Sequence, residues 1–474
     1  MTEATHFPTL TRRQLCRAGM VSITGGALAP MVGPLKASAA GNADVRGGAK
    51  CVVVLNLVGG PSQMDTFDVK EYPTTPDDVD IRTTSLGYRW PYGLLPKTAG
   101  ILDELCVVRS MGAWETFHNL AQYNMQTGHP FNASRAREIP SIGSVIAYEL
   151  LSEAQDSDFL PPFISMNFPA GAVNGTLVRE GFLPSSAAPL TLDMRSGGNM
   201  PFFIDRDEVP RFNRRLDFLR TFDSSRHLEG SGASKMFSEW DYFATSAERM
   251  IKSPGMARIV ELSEPDRKRY GGSALGDACI IARNMVTARA GARYILVNQG
   301  GWDHHGDIYG KQESIMEDPR QRGGLYKNCG DLDPALASLV SDLKETKDDD
   351  GVPMLDKTLV MALGEFGRTP GELTDILGRD HWPNVRCGAF AGAGVKGGRL
   401  IGATDDQGGS VTDFGWHKNR LIYPEDVTAT IYSVLGIDWT KKLSGAPSGR
   451  DFQYVEPMSG TDFIGSTEVK ELFS

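Results

Sequence analysis

Along the chain, short apolar runs recur, each closed by glycine or by a cluster of polar residues. Cys51–Val58 is continuous and rich in β-branched side chains, and it stops at Gly59-Gly60-Pro61. Leu105–Val108, Ala292–Asn298, Thr358–Leu363 and Cys387–Gly392 have the same character. Runs of this length without polar alternation read as strands covered on both faces. Helical periodicity lies between them. Leucine or valine at 332, 336, 339, 340 and 343 makes an i, i+4, i+7 stripe within a helix from Leu332 to Lys347, and Pro424–Leu435 reads as another helix. Strands separated by helices predict an α/β sandwich around a mostly parallel central sheet.

Two stretches depart from this pattern. Residues 161–269 carry Pro- and Gly-rich loops followed by polar helices with scattered aromatics such as Phe237, Trp240, Tyr242 and Phe243, which predicts an inserted cap region. Residues 1–39 differ again. Thr11-Arg12-Arg13-Gln14-Leu15 sets two adjacent arginines before a weakly apolar stretch from Met20 to Leu35, and Ala37-Ser38-Ala39 supplies the small side chains of a cleavage site. This predicts a twin-arginine signal peptide cut near Ala40, and delivery to the periplasm or the exterior. Pro30 and Pro34 argue against an ordinary helix there, since each proline costs about 3 kcal/mol relative to alanine. No other stretch reaches ~18 uninterrupted apolar residues, so no transmembrane span is expected in the mature chain.

Composition narrows the picture further. With 59 acidic against 49 basic residues, a broad nucleic-acid-binding surface is not expected, because phosphate binding needs clustered Lys and Arg. Cys16 leaves with the leader. Cys51, Cys106, Cys279, Cys329 and Cys387 form an odd set without CxxC spacing, which predicts buried thiols and no catalytic cysteine.

Chemistry collects after the strands. In parallel α/β sheets the loops beyond the C-terminal strand ends share one open edge. The first run leads into Gly59-Gly60-Pro61-Ser62-Gln63-Met64-Asp65-Thr66-Phe67-Asp68, and the second into Arg109-Ser110-Met111, then His118-Asn119 and Thr127-Gly128-His129-Pro130. The third ends in Trp302-Asp303-His304-His305-Gly306-Asp307. The fourth ends in Gly364-Glu365-Phe366-Gly367-Arg368-Thr369-Pro370, with Gly378-Arg379-Asp380-His381-Trp382-Pro383 soon after. Imidazole and carboxylate on neighbouring loops make a ligand set for a divalent metal. Asp303 and His305 are two apart, which in an extended segment turns both to one face.

These motifs, in this order and with the twin-arginine leader and Gly402-Ala403-Thr404-Asp405, resemble the exported bacterial family of domain of unknown function 1501. The resemblance covers nearly the whole chain and implies a fold like that of alkaline phosphatases and sulfatases. In that superfamily an Asp and a His follow one strand, Asp-His-Gly ends the next, and a further His precedes another strand. Asp303 and His305 resemble the first pair, Glu365 falls where the Asp belongs, Phe366 falls where its His belongs, and His381 resembles the last His. Asp380 is the substitute for the missing imidazole, and Asp65 is the displaced first-strand Asp. The resemblance thus implies metal ligands Asp65, Asp303, His305, Glu365, Asp380 and His381, holding one or two ions of zinc, manganese or calcium. Counting back nine residues from Thr127-Gly128, as in sulfatases, lands on His118, which would be a nucleophile, a general base or a ligand. Thr116 carries the nearest hydroxyl.

Two functions follow. The first is a metal-dependent hydrolase of sulfate or phosphate esters, on a polysaccharide for example, with Arg368, Arg109 or Arg379 gripping the oxyanion. The second is a non-catalytic relative that binds a sulfated glycan or a partner protein.

Overall fold

Eight strands hydrogen-bond into one sheet: β1 (Cys51–Leu57), β2 (Cys106–Met111), β3 (Phe163–Met166), β4 (Leu190–Leu192), β5 (Tyr294–Gln299), β6 (Thr358–Leu363), β7 (Arg386–Ala391) and β8 (Arg399–Ile401). The computed structural model describes residues 36–38, 43–167, 178–194, 208–223, 233–310, 324–456 and 465–474. The strand order is β8-β2-β7-β6-β1-β5-β3-β4. Every pairing is parallel except those of β7, which runs antiparallel to both β2 and β6. The five apolar runs all form strands of this mixed α/β fold.

The helices of nine or more residues among those described are α1 (His118–Thr127), α2 (Ile142–Leu150), α3 (Val209–Asp223), α4 (Ala233–Lys252), α5 (Ala274–Ala288), α6 (Gly324–Glu345) and α7 (Pro424–Val434). Successive strand residues point to opposite faces, so each strand feeds two cores. Val53, Leu55, Ile295, Val297 and Val360 pack with Ile280 of α5 and with Leu336 and Val340 of α6. Val52, Val54, Leu296, Leu359 and Met361 pack with Val145 and Ile146 of α2 and with Ile431 and Val434 of α7. Burial of both faces is why these strands carry no polar alternation.

The stretch expected to form a cap behaves differently at its start. Residues 163–166 and 190–192 extend the sheet edge as β3 and β4 before the chain enters α3 and α4. Strands of four and three residues are too short for periodicity to distinguish from loop. The segment expected to be a signal peptide lies outside the described residues, apart from Lys36–Ser38, which pairs antiparallel with Lys442–Ser444. Cys51, Cys106, Cys279, Cys329 and Cys387 are free and buried. No helix of the described residues is long and apolar enough to cross a membrane.

Candidate metal centre

β1 pairs in parallel with both β5 and β6, so the loops after these three strands leave the sheet at one edge. Two glycines let the loops close on one another. Gly59 has φ +119°, and a Cβ there would stand 2.5 Å from the backbone nitrogen of Asp303. Gly60 has φ +73°, and its Cβ would stand 2.7 Å from the ring of Phe366. Any side chain at either position would push the β5 or β6 loop away.

The loops bring three imidazoles around one carboxylate oxygen. Asp303 Oδ1 lies 3.2 Å from His118 Nε2, 3.1 Å from His305 Nε2 and 3.3 Å from His381 Nε2. His305 Nε2 and His381 Nε2 are 2.9 Å apart. The ligand atoms of these four residues all fall within 4.8 Å of one another. Between the metal-facing pair, the side chain of His304 turns inward and is buried, and that burial pulls its pKa down to about 4.

The remaining ring nitrogens decide the protonation pattern. His118 Nδ1 is 2.7 Å from Glu365 Oε1, His305 Nδ1 is 2.9 Å from Asp380 Oδ1, and His381 Nδ1 is 2.6 Å from the carbonyl oxygen of Thr116. All three partners accept, so each Nδ1 carries a hydrogen, and a ring without a second proton directs the lone pair of Nε2 inward. Lone pairs converging at 2.9 Å repel unless a cation or a proton lies between them. The buried Nε2 of His118 has no aligned hydrogen-bond partner among the described residues, as suits a ligand atom. Histidine ligands whose other nitrogen is fixed by a carboxylate or carbonyl are the usual pattern of transition-metal sites.

Electrostatics agree with positive charge at this point. Burial alone would lower the pKa of His118, but the carboxylates of Asp303 and Glu365 outweigh it and push the value up to about 9, so with no other cation between them this ring carries the positive charge itself. Burial likewise opposes the charge on Asp303, yet His118, His381 and Arg368 hold its carboxyl well below the usual range. On the inner side the ring of Phe366 closes the site, with ring centroids 4.8 Å from His118 and 4.5 Å from His381.

The structure places several of the expected site residues outside the cluster. Glu365 is not among the converging ligand atoms. It is fully buried, and its oxygens accept from His118 Nδ1, from the backbone nitrogen of Gly59 at 2.9 Å and from Gln122 Nε2 at 2.9 Å, so it orients His118. Asp380 orients His305 in the same way. Asp65 is spent on Ser62, Tyr309 and Arg379 and lies outside the cluster. Arg368 is buried, and it donates to Asp303 Oδ1 at 2.6 Å and to the carbonyls of Gly59, Gly60 and Arg379. Its role is to pin Asp303 and the loops, because those bonds leave its fork unavailable to a substrate oxyanion. Arg379 is tied to Asp65 and to the carbonyls of Thr369 and Gly371, and Arg109 to Asp68 and the carbonyl of Gly402. His118 Nδ1 is held by Glu365 and its Nε2 faces the cluster, the position of a ligand atom. Thr116 contributes its carbonyl in place of its hydroxyl. Sequence reading missed Gln122, although it lies one helical turn after His118 and reaches the same carboxylate.

Residues 49–462 match the family model described as Protein of unknown function (DUF1501). The chain belongs to this family. No curated protein matches this DUF1501 member. Among solved structures it is similar to a protein of the alkaline phosphatase superfamily from Vibrio parahaemolyticus, with 11% identity over 93% of this chain and 77% of that chain and a TM-score of 0.37. It is also similar to the PsFucS1 sulfatase from Pseudoalteromonas sp., with 12% identity over 90% and 76% and a TM-score of 0.40. A third is the C-terminal periplasmic domain of EcEptC from Escherichia coli in complex with Zn, with 10% identity over 91% and 91% and a TM-score of 0.33. At these identities and scores the likenesses carry no argument about activity.

Proposed function

We propose that this protein is an exported, metal-dependent hydrolase of sulfate or phosphate esters, with His118, Asp303, His305 and His381 as ligands of one ion. The observation that carries the reading is the convergence of three Nε2 atoms on Asp303 Oδ1, each ring oriented by an acceptor at Nδ1. A nitrogen-rich set of four fits zinc. Bonds of 2.0–2.1 Å in a tetrahedron put ligands about 3.3 Å apart, close to the 3.1–3.3 Å found around Asp303 Oδ1. Calcium seeks six to eight oxygens, which this set does not offer.

Zinc bound there would polarise an ester oxygen and acidify a water molecule. The chain's own residues prepare the site. Glu365, Asp380 and the Thr116 carbonyl fix the three rings, Arg368 keeps Asp303 ionised, and Phe366 keeps water from the inner side. Asp303 and His305 have side chains 45% and 42% exposed, so substrate enters from their side. With His118 engaged, the attacking group on this reading is water. The Arg12-Arg13 leader supports export to the periplasm or beyond.

Full-length protein purified without chelator is expected to carry about one zinc per chain and to cleave aryl sulfate or aryl phosphate. Chelation should abolish turnover and zinc should restore it, while His305→Ala loses both metal and rate, as expected when a ligand is removed from a four-ligand site. Metal without cleavage of either ester would favour the non-catalytic binder. Absence of metal from protein supplied with zinc would overturn the reading.

A further inference from the structure

Three large apolar side chains near residues of the candidate metal centre are exposed to differing degrees. Phe117, 68% exposed, directly precedes the ligand His118. Ile376, 65% exposed, and the exposed Leu377 occupy a turn that packs against the segment following the ligand His305. The separation is small: a Cβ on Gly306 would lie 3.7 Å from Ile376 Cδ1. Single exposed hydrophobics are ordinary on any surface, but apolar side chains beside two of the histidines of a polar site call for a reason.

The backbone of the turn shows that these side chains are not there to hold it. Leu377 N donates to the Thr374 carbonyl at 2.8 Å, and Thr374 N donates to the Gly378 carbonyl at 3.0 Å. The turn is pinned to the β5 loop by Asp307 N on the Ile376 carbonyl at 2.9 Å and by Ile308 N on the Leu377 carbonyl at 2.8 Å. Main-chain atoms therefore do the structural work. Leu377 and Asp307, which meet through these bonds, have φ of +60° and +39°. Leucine is strained in the left-handed region and glycine is not. Leu377 bears this strain while still 39% exposed, and strain of this kind gathers where ligands are gripped.

We infer that Phe117, Ile376 and Leu377 form an apolar lip that receives the organic part of the ester, so that the substrate is a sulfate or phosphate ester of an apolar phenol or alcohol. This rests on the proposed hydrolase. The tetrahedral anion faces the ion site and the organic group leaves it over the lip, where its burial adds affinity in proportion to the apolar area removed from water. A sugar ring bearing only hydroxyls would not use that area.

Phenylphosphonate and methylphosphonate separate the two parts of such a ligand without being hydrolysed. Calorimetry on zinc-loaded, full-length protein is expected to show phenylphosphonate binding at least about tenfold tighter, a difference that burial of part of one ring supplies. Phe117→Ser with Ile376→Ser should bring the two affinities together while zinc content is retained, because the main-chain bonds of the turn survive. Leu377→Gly should raise the melting temperature by relieving strain and still narrow the preference, so the lip remains testable if the double variant folds poorly. Equal affinities in the wild type, or a preference that survives the substitutions, would overturn the lip and leave the hydrolase standing. Failure of the zinc-loaded protein to bind either phosphonate would overturn both.

Discussion

Glu365 sits fully buried, and among the described residues its carboxylate is met by His118, Gln122 and the backbone of Gly59 with no arginine or lysine bonded to it. A buried carboxylate is tolerated only when its oxygens are met by donors. Replacement by glutamine keeps the size but turns an N–H₂ toward donors. Glu365→Gln should therefore weaken zinc binding about 10- to 100-fold, the usual effect of losing a ligand's orienting partner, and cost about 1–3 kcal/mol through mismatched buried groups. Chelator competition and urea denaturation would measure the two effects, and unchanged zinc affinity would remove Glu365 from this role. The same residue shows where the sequence was legible. Asp303, His305 and His381 could be picked out because they follow strands and share one sheet edge. That Glu365 stands behind His118 could not, since a carboxylate in a strand-end loop looks the same whether it touches an ion or an imidazole.

Between elements, the helices on one face of the sheet are joined by charge. Arg283 of α5 donates to Asp342 of α6 at 2.8 Å and to Asp266 at 3.0 Å, while Arg269 and Tyr270 donate to Asp342 at 2.7 Å each. Hydrogen bonds from Arg283 lead the lowering of the Asp266 pKa; for Asp342, burial would raise it but Arg269 and Arg283 prevail and hold it down. A carboxyl with a depressed folded pKa contributes stability that is complete above its unfolded value, near pH 4, and is lost as pH falls toward the folded value. Urea midpoints should thus drop as pH falls from about 5 toward 3. Asp342→Asn should cost about 1–3 kcal/mol at pH 7, because it leaves buried donors without their charge partner, and should flatten the acid drop. Parallel acid loss in wild type and variant would place the sensitivity elsewhere. Element identity was legible wherever a run was long: all five apolar runs and the helix stripe ending near Lys347 are present. The antiparallel direction of β7 was not legible, because a doubly buried strand reads identically both ways. Nor were β3 and β4, which are too short to show a period.

At the scale of the whole molecule, the two cores on either side of the sheet take in all five described cysteines as free, buried thiols. Burial pushes the Cys51 and Cys106 thiols up to about 12, so thiolate, the form that oxidises, is scarce at neutral pH. Native protein should accordingly react only slowly with a thiol-specific dye, and all five thiols should titrate once guanidinium unfolds it; rapid native labelling of several thiols would contradict this packing. The consequence concerns the order of events in the cell. A chain threaded unfolded into an oxidising compartment would present five thiols there before any core existed to shelter them, with mispairing as the cost. A chain that completes its cores first, in a reducing cytoplasm, crosses with those sulfurs already sealed. If Arg12-Arg13 directs export as proposed above, the reduced interior would record, in each exported molecule, the compartment in which it folded.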